Sequence, residues 1–69
     1  MQSIEVSING KSALVAAATT VEAALHDCGY TLEQAAVALN ESFLPRDQYT
    51  TQLVQAGDRI EVVTPFAGG

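Results

Sequence analysis

The chain is poor in the residues that build enclosed catalytic sites. Its 69 residues include no tryptophan and only four other aromatic side chains, which are Tyr30, Phe43, Tyr49 and Phe66. At this length about 60% of the surface of the unfolded chain becomes buried on folding. The sequence therefore predicts one domain with one small aliphatic core. Such a core leaves little room for a substrate pocket, which argues against a self-contained enzyme.

Cysteine is also scarce, and long apolar runs are missing. Cys28 is the single cysteine, which excludes an intramolecular disulfide and a metal site built on paired cysteines. The first five residues lack the basic and apolar regions of a signal peptide, and no apolar run approaches the roughly 18 residues of a membrane span. We therefore expect a cytoplasmic protein that needs no membrane and no bound metal.

Basic residues are few. The chain has three basic residues, Lys11, Arg46 and Arg59, and eight acidic residues, which gives a formal net charge of −5. This balance argues against binding to nucleic acid or to anionic lipid, because both require basic clusters. Two interpretations remain: the surplus carboxylates keep a small protein in solution, or they complement a basic docking face on a partner.

The first sixteen residues predict a β-hairpin. Apolar and polar residues alternate over 2–8, the pattern of a half-buried strand. Asn9-Gly10 follows at once, and a type I′ turn needs two residues that tolerate positive φ. A second strand is therefore expected over 11–16.

A short helix is expected next. Thr19 and Glu22 have the spacing of a capping box, in which Thr19 caps the backbone and Glu22 reaches back. Gly29 supplies a left-handed stop. The apolar stripe between them consists of Val21, Ala24, Leu25 and Cys28. Cys28 is therefore predicted to be a small buried side chain rather than a reactive thiol.

The segment 31–44 fits two interpretations. Thr31 could open a second helix, but Asn40 and Pro45 would stop it after about two turns. A strand at 36–39, a turn at Asn40-Glu41 and a strand at 42–44 fit the length better, and we expect these strands.

The segment after Pro45 is expected to be irregular. Its residues 45–49 have turn chemistry, and 55–58 form another tight turn. Between these turns, Leu53 and Val54 are expected to anchor the segment on the core.

The last eleven residues predict a strand followed by a tail. Ile60, Val62 and Thr64 fall on one face, with Glu61 and Val63 on the other. Pro65 cannot donate to a strand ladder, so pairing should stop there. The tail is Phe66, Ala67, Gly68 and Gly69.

The two terminal glycines have no Cβ atoms. They form the thinnest backbone available, which could enter a channel that excludes side chains and present the Gly69 carboxylate there. The alternative is ordinary fraying of a chain end.

Four residues are candidates for partner docking. Val63 points away from the buried face of its strand, and Phe66 is a large ring beyond the proline, so both could form an exposed apolar surface. The alternative is that both pack back on the core. Arg46 and Arg59 are candidate contacts at the rim.

These elements describe an α+β fold. A hairpin, a helix and three further strand segments predict one mixed sheet with a helix packed across it. The arrangement is a β-grasp if the first and last strands are parallel neighbours in the sheet centre.

The same residues resemble a known family. The early Asn-Gly turn, the Thr-Val-Glu helix start, the stretches 37–46 and 57–63, and the terminal Gly68-Gly69 together are similar to the ThiS family of thiamine-pathway sulfur carriers. The resemblance covers nearly the whole chain. Glu41 departs from it, because many relatives have glycine at this point of the turn.

The resemblance implies a ubiquitin-like β-grasp domain at 1–66 with a flexible tail at 67–69, and no catalysis by the chain itself. It also implies that an E1-like adenylyltransferase of the ThiF type uses ATP and magnesium to adenylate the carboxylate of Gly69. Sulfur derived from a cysteine desulfurase would then form a thiocarboxylate, and a thiazole synthase of the ThiG type would accept that sulfur.

Two other functions remain open at this point. The small subunit of molybdopterin synthase shares the fold and the Gly-Gly end, although those chains are usually longer. A plain β-grasp interaction module would use its surface and leave the tail inert.

Overall fold

The structure is a computed structural model and describes residues 2–64. In chain order the elements are β1 (Ser3–Ile8), β2 (Lys11–Ala16), α1 (Val21–Asp27), β3 (Ala36–Leu39), β4 (Ser42–Leu44), a 3₁₀ turn (Arg46–Gln48) and β5 (Arg59–Val63). No helix in this part of the chain is long and apolar enough to cross a membrane.

The five strands form one mixed sheet in the order β2-β1-β5-β3-β4. The first and last strands are parallel neighbours, and β5 lies in the centre with β3 antiparallel on its other side. This confirms the expected β-grasp arrangement. The last strand of the described chain is therefore paired along both edges.

The β1–β2 hairpin forms as the sequence predicts. Asn9 has φ 52° and Gly10 has φ 83°, the two positive values that a type I′ turn needs. The strand register pairs Ile8 with Lys11 on either side of this turn.

The N-terminal cap of α1 is one residue later than predicted. Thr20 is the cap, and its hydroxyl accepts a hydrogen bond from the backbone N–H of Ala23 at 3.1 Å. The third helical position is then Ala23, so Glu22 does not stand where a capping box needs it. The predicted Thr19–Glu22 box is wrong, because two adjacent threonines offer the same chemistry.

Cys28 is exposed, which contradicts the predicted buried position. The helix ends at Asp27, and Cys28 has φ −91° and ψ 6° as its C-terminal cap. The backbone has left helical geometry there, so the side chain no longer continues the stripe of Val21, Ala24 and Leu25. Those three side chains are fully buried.

The core lies between α1 and one face of the sheet. Helix residues pack there with the inward side chains of all five strands and with two side chains from the irregular segment; the buried set is Val6, Ile8, Val15, Val21, Ala24, Leu25, Val37, Leu44, Tyr49, Val54 and Ile60. Val54 is 2% exposed, but Leu53 is 50% exposed, so the expected anchoring by Leu53 is wrong. Neighbouring residues of an extended segment point in opposite directions, and only one of the two can face the core.

The strand interpretation of 36–44 is confirmed. Asn40 has φ 52° and Glu41 has φ 71°, so the β3–β4 turn repeats the two positive φ values of the first hairpin. Glutamate occupies a position that favours glycine.

The last strand alternates as predicted. Ile60 is fully buried and Val62 half-buried, whereas Glu61 and Val63 are exposed. The stop at Pro65, the tail and the boundary at residue 66 lie outside the described residues and stay predictions.

Candidate functional site

The predicted reactive group follows β5, so the site is described from the contacts that hold this strand. Gly69, Gly68, Ala67 and Phe66 lie outside the described residues, and their roles stay predictions. The described chain ends at Thr64, one residue after β5.

One edge of β5 pairs with β1 only over its first residues. The register joins Ser7 to Arg59 and Ile8 to Ile60. The backbone N–H of Asn9 then donates to the carbonyl of Ile60 at 2.9 Å. After that contact β1 turns away into the hairpin, so the β1 backbone offers β5 no further strand partner.

The side chain of Asn9 continues the pairing beyond this point. Its Oδ1 accepts a hydrogen bond from the N–H of Val62 at 2.8 Å, and its Nδ2 donates to the carbonyl of Val62 at 3.3 Å. The amide thus presents one acceptor and one donor to a single residue, as a strand neighbour would.

Asn40 makes a similar contact at the start of β5, from the opposite edge. Its Oδ1 accepts from the N–H of Arg59 at 2.9 Å, and its backbone N–H donates to the carbonyl of Arg59 at 2.7 Å. Its Nδ2 donates to Asp58 at 3.0 Å, and the same carboxylate accepts from the N–H of Gln55 at 2.8 Å. The turn before β5 is therefore tied to the β3–β4 turn.

An apolar surface lies on the face of the sheet opposite α1. Val63 is 64% exposed and Phe43 is 71% exposed. The register pairs Val63 with Ala36 and Phe43 with Ala38, which places the four side chains on adjacent strands of one face. We call Val63, Ala36, Ala38 and Phe43 the outer apolar patch.

Sequence reasoning identified Val63 in this patch but missed Phe43. Exposure of Phe43 follows from burial of Leu44, its neighbour in a three-residue strand. Its place in the patch depends on the pairing of β4 with β3. The only signal in the sequence was the alternation of Phe43 and Leu44 along the strand. An exposed contiguous apolar surface of this kind is typical of a docking site.

The charges beside the patch are mostly acidic. Glu61 is exposed and lies directly across from Ala38. The guanidinium of Arg59 lies 3.0 Å from the carboxylate of Glu41, in a pair whose side chains are 65% and 76% exposed. A partner surface that covers the patch would therefore meet the exposed carboxylate of Glu61, and it would meet Arg59 in an ion pair with Glu41.

Arg46 has a clear role within the fold. Its guanidinium donates to the carbonyls of Leu32 at 3.2 Å, Glu33 at 3.1 Å and Ala35 at 3.4 Å. It also lies over the ring of Tyr49, 5.9 Å from the centroid. These contacts fasten the loop before β3, which contains residues 32–35, to the 3₁₀ turn. Partner contact by Arg46 or Arg59 stays a prediction.

A groove of about 690 Å³ lies on the helix side of the domain. Its walls include Glu22, Asp27 and Glu33 together with Arg46 and Tyr49. It is lined by α1 and the segment after it, whereas Val63 and Phe43 lie on the other face of the sheet. The groove is therefore separate from the surface at the end of β5.

Known proteins that are similar to this chain match it over nearly its whole length. The model of the ThiS family matches residues 4–69. The sulfur carrier protein ThiS of Escherichia coli is 32% identical over 66 residues, which cover 96% of this chain and 100% of that protein. The solved structure of the thiamine biosynthesis protein ThiS from Geobacter metallireducens has a TM-score of 0.79 and 28% identity, over 96% of this chain and 100% of that chain.

A second relative is much longer than this chain. A thiazole synthase of Paramagnetospirillum magneticum is 36% identical over 62 residues, which are 90% of this chain but only 19% of that protein. The similarity concerns a small part of that enzyme.

Proposed function

This chain belongs to the ThiS family, and we propose that it is a sulfur carrier for the thiazole-forming step of thiamine biosynthesis, not an enzyme. The observation that carries the proposal is the extent of the match. It runs through Gly68-Gly69 to residue 69, and the chain spans the whole length of the Escherichia coli carrier.

The proposed reaction begins at the carboxylate of Gly69. A carboxylate is a poor electrophile until one of its oxygens becomes a good leaving group. One oxygen attacks the α-phosphorus of ATP, releases pyrophosphate and forms an acyl-adenylate. Sulfur delivered as a persulfide then displaces AMP at the carbonyl carbon, and reduction of the resulting acyl disulfide by a thiol leaves the thiocarboxylate.

An E1-like adenylyltransferase of the ThiF type would perform the activation with ATP and magnesium, and a cysteine desulfurase would supply the persulfide. These steps use cytoplasmic reactants, which supports the cytoplasm as the location. The carrier's own contribution is binding and presentation, because the reactive carbonyl belongs to its backbone.

The fold suits such a carrier. A strand in the middle of a sheet, hydrogen-bonded along both edges, gives the following segment a rigid base. The outer apolar patch begins at Val63 on that same strand. A partner that docks on the patch would therefore bind close to the point where the chain leaves the sheet.

A thiazole synthase of the ThiG type is the proposed acceptor of the sulfur. Support comes from the thiazole synthase of Paramagnetospirillum magneticum, in which a segment similar to this chain forms part of the enzyme. A thiazole synthase that contains a segment similar to this chain is consistent with direct delivery from carrier to synthase.

Activation at Gly69 is tested by ATP–pyrophosphate exchange with the ThiF-type enzyme and ATP-magnesium. We expect exchange with the unmodified chain and none after deletion of Gly69 or addition of one residue after it. Gly68→Val should also impair exchange, because a β-branched side chain would obstruct a narrow channel. Exchange that survives either the deletion or the extension would refute the carrier function.

Docking on the outer apolar patch is tested separately. Val63→Asp and Phe43→Ser should leave the fold intact, since both side chains are exposed, and should weaken activation. Leu14→Asp is the matched control, because Leu14 is 72% exposed on the outermost strand β2 and lies apart from the patch. If Val63→Asp and Phe43→Ser are activated as well as Leu14→Asp and the unmodified chain, the patch is not an interface.

The pathway is tested with the two acceptor enzymes. The thiocarboxylate should yield the thiazole phosphate with thiazole synthase and its substrates. The large subunit of molybdopterin synthase should bind it weakly or not at all. The reverse pattern would assign the chain to the molybdopterin pathway.

A further inference from the structure

We propose that Asn9 is a positioning residue for sulfur loading, and that its side-chain amide sets the direction in which the chain leaves the sheet toward Gly69. The inference rests on the proposed carrier function. It adds a residue that lies far from Gly69 in sequence and is not part of the outer apolar patch.

The first step of the argument is a gap in strand pairing. Along a strand, successive residues direct their backbone groups to opposite edges. Val62 directs its N–H and carbonyl toward β1, but the parallel register with β1 ends at Ile60. Within residues 2–64, the amide of Asn9 is the group that fills this position on the β1 side.

The second step is that few residues could fill the gap. Residue 9 must adopt φ 52°, which favours asparagine, aspartate and glycine. It must also present an acceptor to the N–H of Val62 and a donor to its carbonyl. Aspartate lacks the donor and glycine lacks both groups, so asparagine meets both requirements.

The third step concerns position. The contacts of Asn9 hold Val62 from the β1 side, while β3 pairs with Val63 from the other side. Together they fix the two residues that precede Thr64. Loss of the amide leaves the end of β5 held along one edge only, so the following segment can leave the sheet in several directions. The fraction of molecules aligned with a docked enzyme then falls.

Asn40 provides a matched control within the same molecule. It has the same φ of 52°, lies in a similar turn and also contacts β5 through Oδ1, but it holds Arg59. That residue is three positions earlier, roughly 10 Å along the strand. Asn40→Gly therefore removes a comparable contact from the entry of β5, whereas Asn9→Gly removes it from the exit.

The expected signature is a change in KM. When only a fraction of the free protein is competent to bind, the apparent affinity equals the intrinsic affinity multiplied by that fraction. Once the segment occupies the enzyme's channel, the channel fixes its geometry and kcat is unaffected. We expect Asn9→Gly to raise KM roughly fivefold, the factor that corresponds to a net loss of about 1 kcal/mol in hydrogen bonding. Asn9→Asp keeps the shorter contact and should give an intermediate KM.

The experiment compares the unmodified chain with Asn9→Gly, Asn9→Asp and Asn40→Gly. Urea denaturation and hydrogen exchange of the Val62 amide are measured on each variant. Initial rates of ATP–pyrophosphate exchange with the ThiF-type enzyme are then measured against carrier concentration. Asn9→Gly should accelerate exchange of the Val62 amide and raise KM at constant kcat. Asn40→Gly should leave both quantities near those of the unmodified chain, at a similar loss of stability.

The outcomes separate the two proposals. If the unmodified chain supports no exchange of pyrophosphate, the proposed function is wrong and this inference falls with it. If the chain is activated but Asn9→Gly and Asn40→Gly have the same KM, Asn9 is merely structural. Unchanged exchange of the Val62 amide in Asn9→Gly would also overturn the inference.

Discussion

Replacement of Arg46 by alanine is expected to destabilise the domain strongly and to affect partner docking little. The guanidinium donates to three backbone carbonyls in the segment before β3, at residues 32, 33 and 35. Without it, that segment loses its main attachment to the 3₁₀ turn, although Tyr49 still donates to the carbonyl of Ala35 at 3.2 Å.

The magnitude follows from the geometry. Two of the three contacts, at 3.2 and 3.1 Å, are hydrogen bonds of ordinary length, and the third at 3.4 Å is weak. A hydrogen bond from a charged donor contributes about 1.5–3 kcal/mol, and partial exposure of Arg46 reduces this to about 1 kcal/mol each. The expected loss is about 2 kcal/mol, which lowers Tm by roughly 8–16 °C in a domain of this size.

The assay is thermal and urea unfolding followed by circular dichroism. Arg46→Lys should lose most of the same stability, because an ammonium group cannot reach several carbonyls in a planar fork. Arg59→Ala is the control, since its ion pair with Glu41 is exposed and is expected to contribute less than about 0.5 kcal/mol. A fall in Tm no larger for Arg46→Ala than for Arg59→Ala would refute the reasoning. Impaired activation at unchanged stability would instead support a rim contact.

Three further substitutions test the fold. Leu25→Ala removes a fully buried side chain and should cost about 2–5 kcal/mol, measured as a lower urea midpoint or as complete unfolding. Gly10→Ala places a Cβ at φ 83° and should cost about 1–2 kcal/mol by the same assay, and an unchanged midpoint would contradict the turn geometry. Cys28→Ser should change the free energy of unfolding by less than about 0.5 kcal/mol, because the side chain is exposed. A larger loss would indicate that the side chain is buried, as the sequence predicted.

Local signals predicted the elements well. Asn9-Gly10 specifies a hairpin through the backbone preferences of two adjacent residues, and the alternation in β1 and β5 reports directly which face is buried. The strand at 36–39 could be inferred from length, because Asn40 and Pro45 limit any helix there. The parallel pairing of β1 with β5 was a condition of the β-grasp and not a consequence of either strand's composition.

The incorrect predictions concern places where a shift by one residue changes the local geometry. Thr19 and Thr20 both suit a helix cap, and the choice depends on where the preceding chain approaches. Cys28 fits a helical stripe of seven-residue spacing, but the helix has already ended at that residue. Leu53 and Val54 are equally apolar, and composition cannot say which of them faces the core.

Contacts between distant segments could not be predicted from the sequence. Arg46 reaches carbonyls 11 to 14 residues away, and the amide of Asn9 bonds to a residue 53 positions later. Nothing in the sequence near Asn9 distinguishes its turn role from its contact with Val62. Phe43 joins Val63 in the outer apolar patch only through the register of three strands.

The most direct test of the central claim, that the carboxylate of Gly69 carries sulfur, is the mass of the C-terminal peptide after loading. The chain is incubated with the activating enzyme, ATP-magnesium and a persulfide donor, and then cleaved by trypsin after Arg59 to release residues 60–69. We predict that this peptide gains the mass difference between one sulfur and one oxygen, and that the gain requires ATP. An unchanged peptide, or a whole added sulfur found on the peptide that contains Cys28, would contradict the account.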